Sequence, residues 1–349
     1  MLCGGYSVVL LSYWKETQTV GAYFRRKIVI YLLTFIFAVT IDWMIPRFMP
    51  GNPIQNLLSR FSTRSDTTEV IARYLNEIYG LDRPPLQQYF AFWAGLFRGD
   101  LGVSIYVTGA PVARVIARAL PFDLALLIPA IMLSYIAGNK FGAFAARKKR
   151  LDGIVLPLWY VLTATPYMWL GILLAWFFGV ALNILPIAGA YSFSMVPNLS
   201  WGFIWDFFKH WILPFSSLFI VQFGGWAIGM RNMIIYELEA EYCRYLESLG
   251  ASRKLIRRYA YKNAVLPQIT GLALQLGVIV AGALATEVVF SYPGIGHLLK
   301  EAILNQDYFL IQGCFLFIII GVLLANIILD FAYILIDPRI RHSSVGETV

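Results

Sequence analysis

The stretch ESLGASRKLIRRYAYKNAVLP, residues 247–267, separates two apolar runs and carries most of the charge in its part of the chain. It holds one acid, Glu247, and five basic residues: Arg253, Lys254, Arg257, Arg258 and Lys262. One Lys or Arg at the centre of a bilayer costs about 2.5–3.5 kcal/mol, so five together cost roughly 10 kcal/mol or more. The stretch therefore lies outside the hydrocarbon, and the apolar runs beside it are candidates to cross a membrane.

The composition supports a membrane protein. Of 349 residues, 59% are hydrophobic and only 14% are charged, whereas soluble domains carry about 25% charged residues. The net charge of +8 does not indicate nucleic-acid binding, because membrane proteins concentrate Lys and Arg in their cytoplasmic loops. We predict an all-α polytopic membrane protein with the lipid bilayer, and no nucleic acid, among its partners.

About six apolar runs are long enough to span a bilayer as helices. They cover residues 28–45, 122–145, 154–182, 212–230, 265–290 and 309–336. The third run contains Pro166, and the pattern predicts one tilted, kinked helix there, because membrane helices tolerate proline. Two separate helices are the competing interpretation, which no polar break supports.

The distribution of basic residues predicts the orientation. With the N-terminus inside, the inner segments hold 17 Lys and Arg and the outer segments 10, of which eight lie in the long loop 46–121. Loops of that length translocate largely regardless of charge. We predict a multi-pass protein of the plasma (inner) membrane with both termini cytoplasmic.

This orientation divides the chain into five parts. Residues 1–27 form a cytoplasmic extension, whose short apolar run neither spans the membrane nor precedes a cleavage pattern, and we expect it to lie on the membrane surface. The first span, 28–45, leads into the external loop domain 46–121, where the aromatic residues of LQQYFAFWAGLFRGD are expected to pack against the membrane interface or the outer ends of the spans. A core of five spans, 122–336, contains the cytoplasmic loop 231–264, and residues 337–349 form a cytoplasmic tail.

Several function classes lack the residues they need. The chain has no G-x-x-x-x-G-K-[ST] phosphate loop, no G-x-S-x-G or H-E-x-x-H pattern, and three cysteines too far apart in sequence for a metal motif. The acidic residues of the spans lie near span ends, which does not favour a proton relay through the bilayer. We therefore expect no catalytic residue, no metal and no cofactor in this chain. We expect the energy for its activity to come from another protein.

Within the basic stretch, the spacing of Leu255, Ile256 and Tyr259 predicts a short amphipathic helix. Gly250 before it suits a tight turn, and Ser252 is a candidate N-cap. Such a helix can lie on anionic lipid or dock onto a protein partner, and the spacing alone does not choose between the two.

An ordered set of motifs resembles the permease subunits of binding-protein-dependent ABC importers, in the dipeptide/oligopeptide/nickel branch. RYLESLGASRKLIRRYAYKNAVLP is similar to their cytoplasmic Glu-Ala-Ala…Gly…Leu-Pro loop, although Arg244, Tyr245 and Leu246 replace the Glu-Ala-Ala triplet. The other matching stretches are RFMPGNP, YGLDRPPLQQY, RGDLGVSI, TPYMWLGILL, NILPIAG, EVVFSYPGIGHLL and the terminal DPRIR. Together they extend over residues 23–341.

The resemblance implies a type I ABC importer permease fold and a set of partners. These are a second, similar permease, two ATPase subunits that use the ATP, and an external solute-binding protein. The loop around Gly250 would form a coupling helix in an ATPase groove. Gly250 would provide the turn, and Ala251 and Ser252 would contact the groove. Arg253, Arg257 and Arg258 would contact acidic ATPase rims or lipid headgroups. Glu247 would contact the partner surface or pair with Arg244 three residues before it.

The resemblance also places a solute pathway between the two permeases. Its candidate lining residues are Tyr167, Met168, Gln222, Trp226 and Gln275, for each of which core packing is the alternative. The expected solute is a peptide, and oligosaccharides or nickel are the alternatives within the same machinery. A standalone secondary transporter or channel, and an intramembrane enzyme, are remote alternatives from other classes.

Overall fold

The computed structural model describes residues 4–51, 53–58, 65–107 and 109–336. Within those ranges every regular element is a helix, apart from one antiparallel bridge between Val103 and Pro111. The all-α prediction is confirmed.

The first helix, α1 (Gly4–Phe48), is 45 residues long, or about 68 Å, roughly twice the thickness of the hydrocarbon. Its apolar part, Arg25–Phe48, contains the predicted first span. The helix continues unbroken through residues 4–27, so the predicted surface-lying extension is wrong, and this segment prolongs the helix of the span.

Three shorter helices follow: α2 (Pro53–Leu58), α3 (Ser65–Tyr79) and α4 (Pro85–Arg98). The α4 helix packs along α1 as the aromatic pattern predicted. The Tyr89 hydroxyl lies 2.9 Å from Oγ1 of Thr40, and the Tyr89 ring meets Trp43 edge-on at 5.1 Å. The end of the bundle that carries residues 49–111 is called the loop end below.

The segment after α4 is attached to the core through Asp307. This buried carboxylate accepts hydrogen bonds from Ser104 Oγ (2.6 Å) and the Tyr106 amide (2.9 Å), and from the Leu310 amide (3.0 Å) in the next helix. Burial raises the pKa of Asp307, and these donors oppose that rise. Asp307 thereby joins the loop end to α12 (Tyr308–Ile336).

The centre of the bundle is the pair α5 (Val112–Ala145) and α8 (Trp201–Glu239). Two glycines of α5 permit close approach of the backbones. A Cβ on Gly138 would lie 2.6 Å from Cβ of Trp226, and a Cβ on Gly142 would overlap the carbonyl oxygen of Ala227. This packing brings the backbones of α5 and α8 into close contact at the centre of the bundle.

The third predicted span is not one kinked helix. It consists of α6 (Lys149–Ala164) and α7 (Tyr167–Leu174), which continues into a π-helical stretch, Ala175–Ala181, and the two parts meet at 101°. Thr165 at the break has an extended backbone (ψ 124°), and Pro166 cannot donate the hydrogen bond that would continue α6.

The predicted cytoplasmic loop 231–264 is mostly helical. The α8 helix occupies it as far as Glu239, α9 (Glu241–Ser248) follows, and α10 (Arg253–Val289) starts within it. The basic residues therefore form the first turns of a 37-residue helix rather than a separate short one. The end of the bundle that contains α9 is called the turn end, and α11 (Ile295–Leu304) closes the loop end before α12.

Four described helices are long and apolar enough to cross a membrane: the apolar parts of α1 and α12, and helices α5 and α8. The bent α6–α7 pair supplies a fifth span if it counts as one. The predicted fifth span, 265–290, lies in α10, where the side chains of residues 273–282 are outside the described part. The count of six stays a prediction.

Candidate functional site

A tight turn, residues 249–252, links α9 to α10 at the turn end. The Ala251 amide donates to the Leu246 carbonyl and the Gly250 amide to the Glu247 carbonyl, each at 3.0 Å. This pair of bonds is a Schellman motif, which requires a left-handed residue at the position of Gly250. The φ angle of Gly250 is +75°, so the predicted glycine turn is confirmed.

Ser252 ends the turn and begins α10. Its Oγ accepts a hydrogen bond from the Leu255 amide at 3.3 Å, which confirms the predicted N-cap. A helix that ends in a Schellman motif and one that starts at a capped serine leave no freely rotating residue between them. The turn therefore holds α9 and α10 at a defined angle.

One face of the α9 helix contacts both neighbouring helices, α10 and α8. Cys243 and Leu246 pack against Ile256 and Ala260 of α10. On the α8 side, the Tyr242 hydroxyl donates to the Glu237 carboxylate at 2.7 Å. Burial raises the pKa of Tyr242, and the bond to Glu237 raises it further, so this hydroxyl keeps its proton.

The opposite side of α9 and of the turn is exposed. Tyr245 and Leu249 are each 65% exposed, although both are large and apolar. Large apolar side chains exposed together beside charged ones are typical of a docking surface. Of the predicted contact residues, Ala251 is half-buried, and the exposed ones are Glu247, Gly250, Ser252, Arg253, Arg257 and Arg258.

Two details of the predicted contacts are now clear. Glu247 forms no ion pair with Arg244 in the described structure, so its carboxylate is available to a partner. The pKa of Arg147, just after α5, is lowered by burial and by the nearby charge of Arg257. The α5–α6 connection therefore lies beside the first turns of α10 and adds positive charge to the same end.

A cavity of about 460 Å³ opens at the break between α6 and α7. Its walls come from the break, from the middle of α8 and from α10, and three of the five predicted pathway residues line it together: Tyr167, Gln222 and Trp226. Met168 does not line it and is 48% exposed elsewhere. The side chain of Gln275 is outside the described residues.

The buried Gln222 gives the cavity an unsatisfied polar group. Ser134 Oγ donates to its Oε1 at 3.2 Å, and its buried Nε2 has no hydrogen-bond partner. Trp226 is held by an edge-on contact with Tyr135 at 5.1 Å. Buried polar groups in native proteins are usually paired, so the unpaired amide nitrogen of Gln222 is unusual among the residues that line the cavity.

Gln268 lines the same cavity and is missing from the predicted set. Because the basic stretch ends at the residue before Gln268, the sequence indicates the start of a span at this position rather than part of a pathway. The spacing of Gln268 by seven residues from Gln275 is the signal that identifies it, since positions i and i+7 share a helix face. Hydroxyl groups of Thr163 and Thr165 add to the lining, and none of its described lining residues is charged.

This arrangement can bind a neutral polar solute but carries no visible chemistry. Primary amides and hydroxyls offer donors and acceptors, and the aromatic rings offer apolar surface. No group of three or more potential metal ligands occurs among the described residues. The molecule thus has a polar cavity within the bundle and, at one end, an exposed surface of apolar and charged side chains, and α8 and α10 join the two.

Comparison with known proteins places this architecture in a family. Residues 138–342, more than half of the chain, match the family described as "Binding-protein-dependent transport system inner membrane component". The chain belongs to this family. It is therefore a multi-pass membrane permease that works within a binding-protein-dependent transport system, together with ATPases and a binding protein.

Individual relatives match almost end to end. The dipeptide transport system permease protein DppB of Alkalihalophilus pseudofirmus is 29% identical over 337 residues, covering 92% of this chain and 99% of the relative. DppB of Escherichia coli K12 is also 29% identical, with 91% and 98% covered. The oligopeptide transport system permease protein AppB of Bacillus subtilis is 26% identical, with 92% and 100% covered.

Proposed function

We propose that this chain forms the solute pathway of an ATP-driven peptide importer and couples it to ATP hydrolysis by partner subunits. The observation that carries the proposal is the near-complete alignment with permeases named for dipeptide and oligopeptide transport. A match over 98–100% of each relative includes the loop end, the cavity and the turn, and not only a shared membrane core.

The turn end is the proposed ATPase contact. In this proposal, α9 and the turn at Gly250 seat in a groove of an ATPase subunit, with Tyr245 and Leu249 as apolar contacts. Arg253 and Arg257 face the acidic rim of the groove. ATP binding then moves α9, and α8 and α10 carry the movement to the cavity, a rigid-body change of the kind that packed helices undergo.

The cavity is the proposed place of solute contact. Peptide groups present one donor and one acceptor each, and the side-chain amides of Gln222 and Gln268 complement both. The uncharged lining fits this role better than ion transport, which requires ionisable groups at membrane depth. A second, similar permease would complete the pathway, with two ATPases and an external binding protein in the assembly.

The proposed orientation places both termini and the turn end in the cytoplasm. Its support is the excess of Lys and Arg on that side, 17 against 10. The loop end then faces outward, where a binding protein delivers the solute. A cysteine introduced at the exposed Leu249 and labelled from one side of sealed vesicles tests this orientation directly.

Reconstitution of the full chain with its partner ATPases, second permease and binding protein tests the function. We expect labelled dipeptide or oligopeptide to accumulate in proteoliposomes only with ATP and binding protein, and unlabelled peptide to compete. Competition by oligosaccharides or nickel instead of peptides would overturn the peptide assignment. Accumulation without the ATPases would contradict the coupling and favour a standalone transporter.

A further inference from the structure

A groove of about 500 Å³ runs between α1 and α12, and it shares no lining residue with the cavity at the α6–α7 break. We propose that it binds one anionic glycerophospholipid, with an acyl chain in the groove and the phosphate at Arg25. This inference does not depend on the transport function, because it requires only that α1 and α12 cross a bilayer.

In the described residues, polar contacts join α1 and α12 at both ends of the groove. At the loop end, Gln312 Nε2 donates to the Trp43 carbonyl at 3.4 Å. At the turn end, Asp330 pairs with Lys27 at 2.8 Å and accepts a hydrogen bond from Tyr31 at 2.5 Å. Between these contacts the lining is apolar, and the helices leave a continuous gap.

The position of the groove fits an acyl chain. Its α1 wall runs from Lys27 to Phe35, nine residues with a rise of about 12 Å, close to the hydrocarbon depth of one leaflet. Leu32 and Leu324 line it and are 56% and 53% exposed, so they contact whatever surrounds the span. At this depth of a bilayer the surrounding molecules are lipid chains.

Charge complementarity selects an anionic headgroup. Arg25 precedes Ile28 and Leu32 in one row of the helix (i, i+3, i+7), so its guanidinium stands at the edge of the groove, at the headgroup level. Asp330 carries the carboxylate among the described residues that line the groove, and Lys27 and Tyr31 already engage it. Among the described residues on this side of α1, Arg25 and Lys27 against this one carboxylate leave a net charge of +1.

Arg26 provides a matched control. It is exposed like Arg25 and carries the same charge one residue away, but a step of 100° places it on the side of α1 opposite the groove. Neither arginine forms an ion pair with another described residue. A site in the groove therefore depends on Arg25 far more than on Arg26, whereas general attraction to an anionic surface depends on both equally.

The test is native mass spectrometry of the full chain, delipidated in detergent and titrated with phosphatidylglycerol or phosphatidylcholine. We expect one tightly bound phosphatidylglycerol and weaker binding of phosphatidylcholine. Arg25→Gln should weaken phosphatidylglycerol binding about fivefold, as expected for one basic residue near a lipid surface. Arg26→Gln should change it little, and Arg25→Lys should restore most of it.

Leu324→Trp tests the groove independently of charge. The larger side chain fills the gap, so the bound lipid should be lost although both arginines remain. Equal effects of Arg25→Gln and Arg26→Gln, equal binding of the two lipids, or unchanged binding after Leu324→Trp would each overturn the proposal. The proposal would also be overturned if a second copy of this chain, rather than a lipid, occupied the groove and were displaced by Leu324→Trp.

Discussion

Substitution of Gly250 separates the turn from the docking surface. With φ at +75°, any L-residue other than Asn or Asp is strained there by about 1–2 kcal/mol. That strain shifts the equilibrium between the closed and open turn by roughly 5- to 30-fold. A Cβ at this position would meet no atom of the chain within 4 Å, so the substitution creates no clash inside the permease.

Three variants therefore read out different effects. Gly250→Ala adds backbone strain with almost no bulk. Gly250→Asn adds bulk at little strain, because asparagine tolerates the left-handed conformation. Gly250→Arg adds both. If the turn seats in an ATPase groove, Asn and Arg should impair coupling strongly and Ala about fivefold or more; if only the fold of the turn matters, Ala and Arg should match and Asn should be mild.

The assay is binding-protein-stimulated ATP hydrolysis by the reconstituted complex, with copurification of the ATPases measured on the same samples. Gly153→Arg is the control, since Gly153 lies near the same end in a helical conformation with open space around it. We expect Gly250→Arg to lose stimulated hydrolysis and most of the bound ATPase. Intact stimulation in that variant would refute the docking role of the turn.

Three further substitutions test the core, the cavity and the loop end. Gly142→Ala forces a Cβ onto the Ala227 carbonyl and should destabilise the protein by about 1–3 kcal/mol in thermal unfolding, whereas Gly153→Ala in open space should be neutral or stabilising. Gln222→Leu should leave thermal stability within about 1 kcal/mol, because it removes a buried amide with an unpaired nitrogen, while lowering peptide transport. Asp307→Ala leaves three hydrogen-bond donors without their acceptor and should lower the free energy of unfolding by roughly 3 kcal/mol or more. Limited proteolysis should then cut within residues 101–111.

Each of these has an outcome that contradicts its reasoning. Equal stability of Gly142→Ala and the parent protein would show that α5 and α8 are not in close contact. Full transport by Gln222→Leu would remove this residue from the solute pathway. For Asp307, the control is Asp82→Ala, an exposed carboxylate without a hydrogen bond in the described residues, and equal proteolysis of the two variants would exclude the anchoring role.

The sequence predicts the helical class and the turn well, because both depend on local rules. Apolar runs locate the spans, a glycine marks the left-handed position, and a serine marks the cap. The family resemblance places the solute pathway among the spans, and three of the five candidates named on that ground line the cavity. Long-range geometry is what the sequence does not provide.

Proline shows why. Pro129, Pro157, Pro214 and Pro267 all lie inside continuous helices, whereas Pro166 stands at a 101° break. The local signal is the same in each case, because proline always removes a donor and disfavours helix in the preceding residue. Which proline breaks its helix depends on neighbouring helices, and so the cavity at the break could not be placed from the sequence.

The α8 helix crosses the whole bundle without a break, so a tilt at one end of the helix moves the other end. Gln222 at the cavity and Glu239 at the last turn are 17 residues apart, or about 26 Å along an unbroken axis. A tilt of about 2° at one end then displaces the other by about 1 Å, with no hinge before Ala240 to absorb it. A displacement of α9 by the amplitude of thermal motion therefore changes distances in the cavity by an amount that is large for a hydrogen bond.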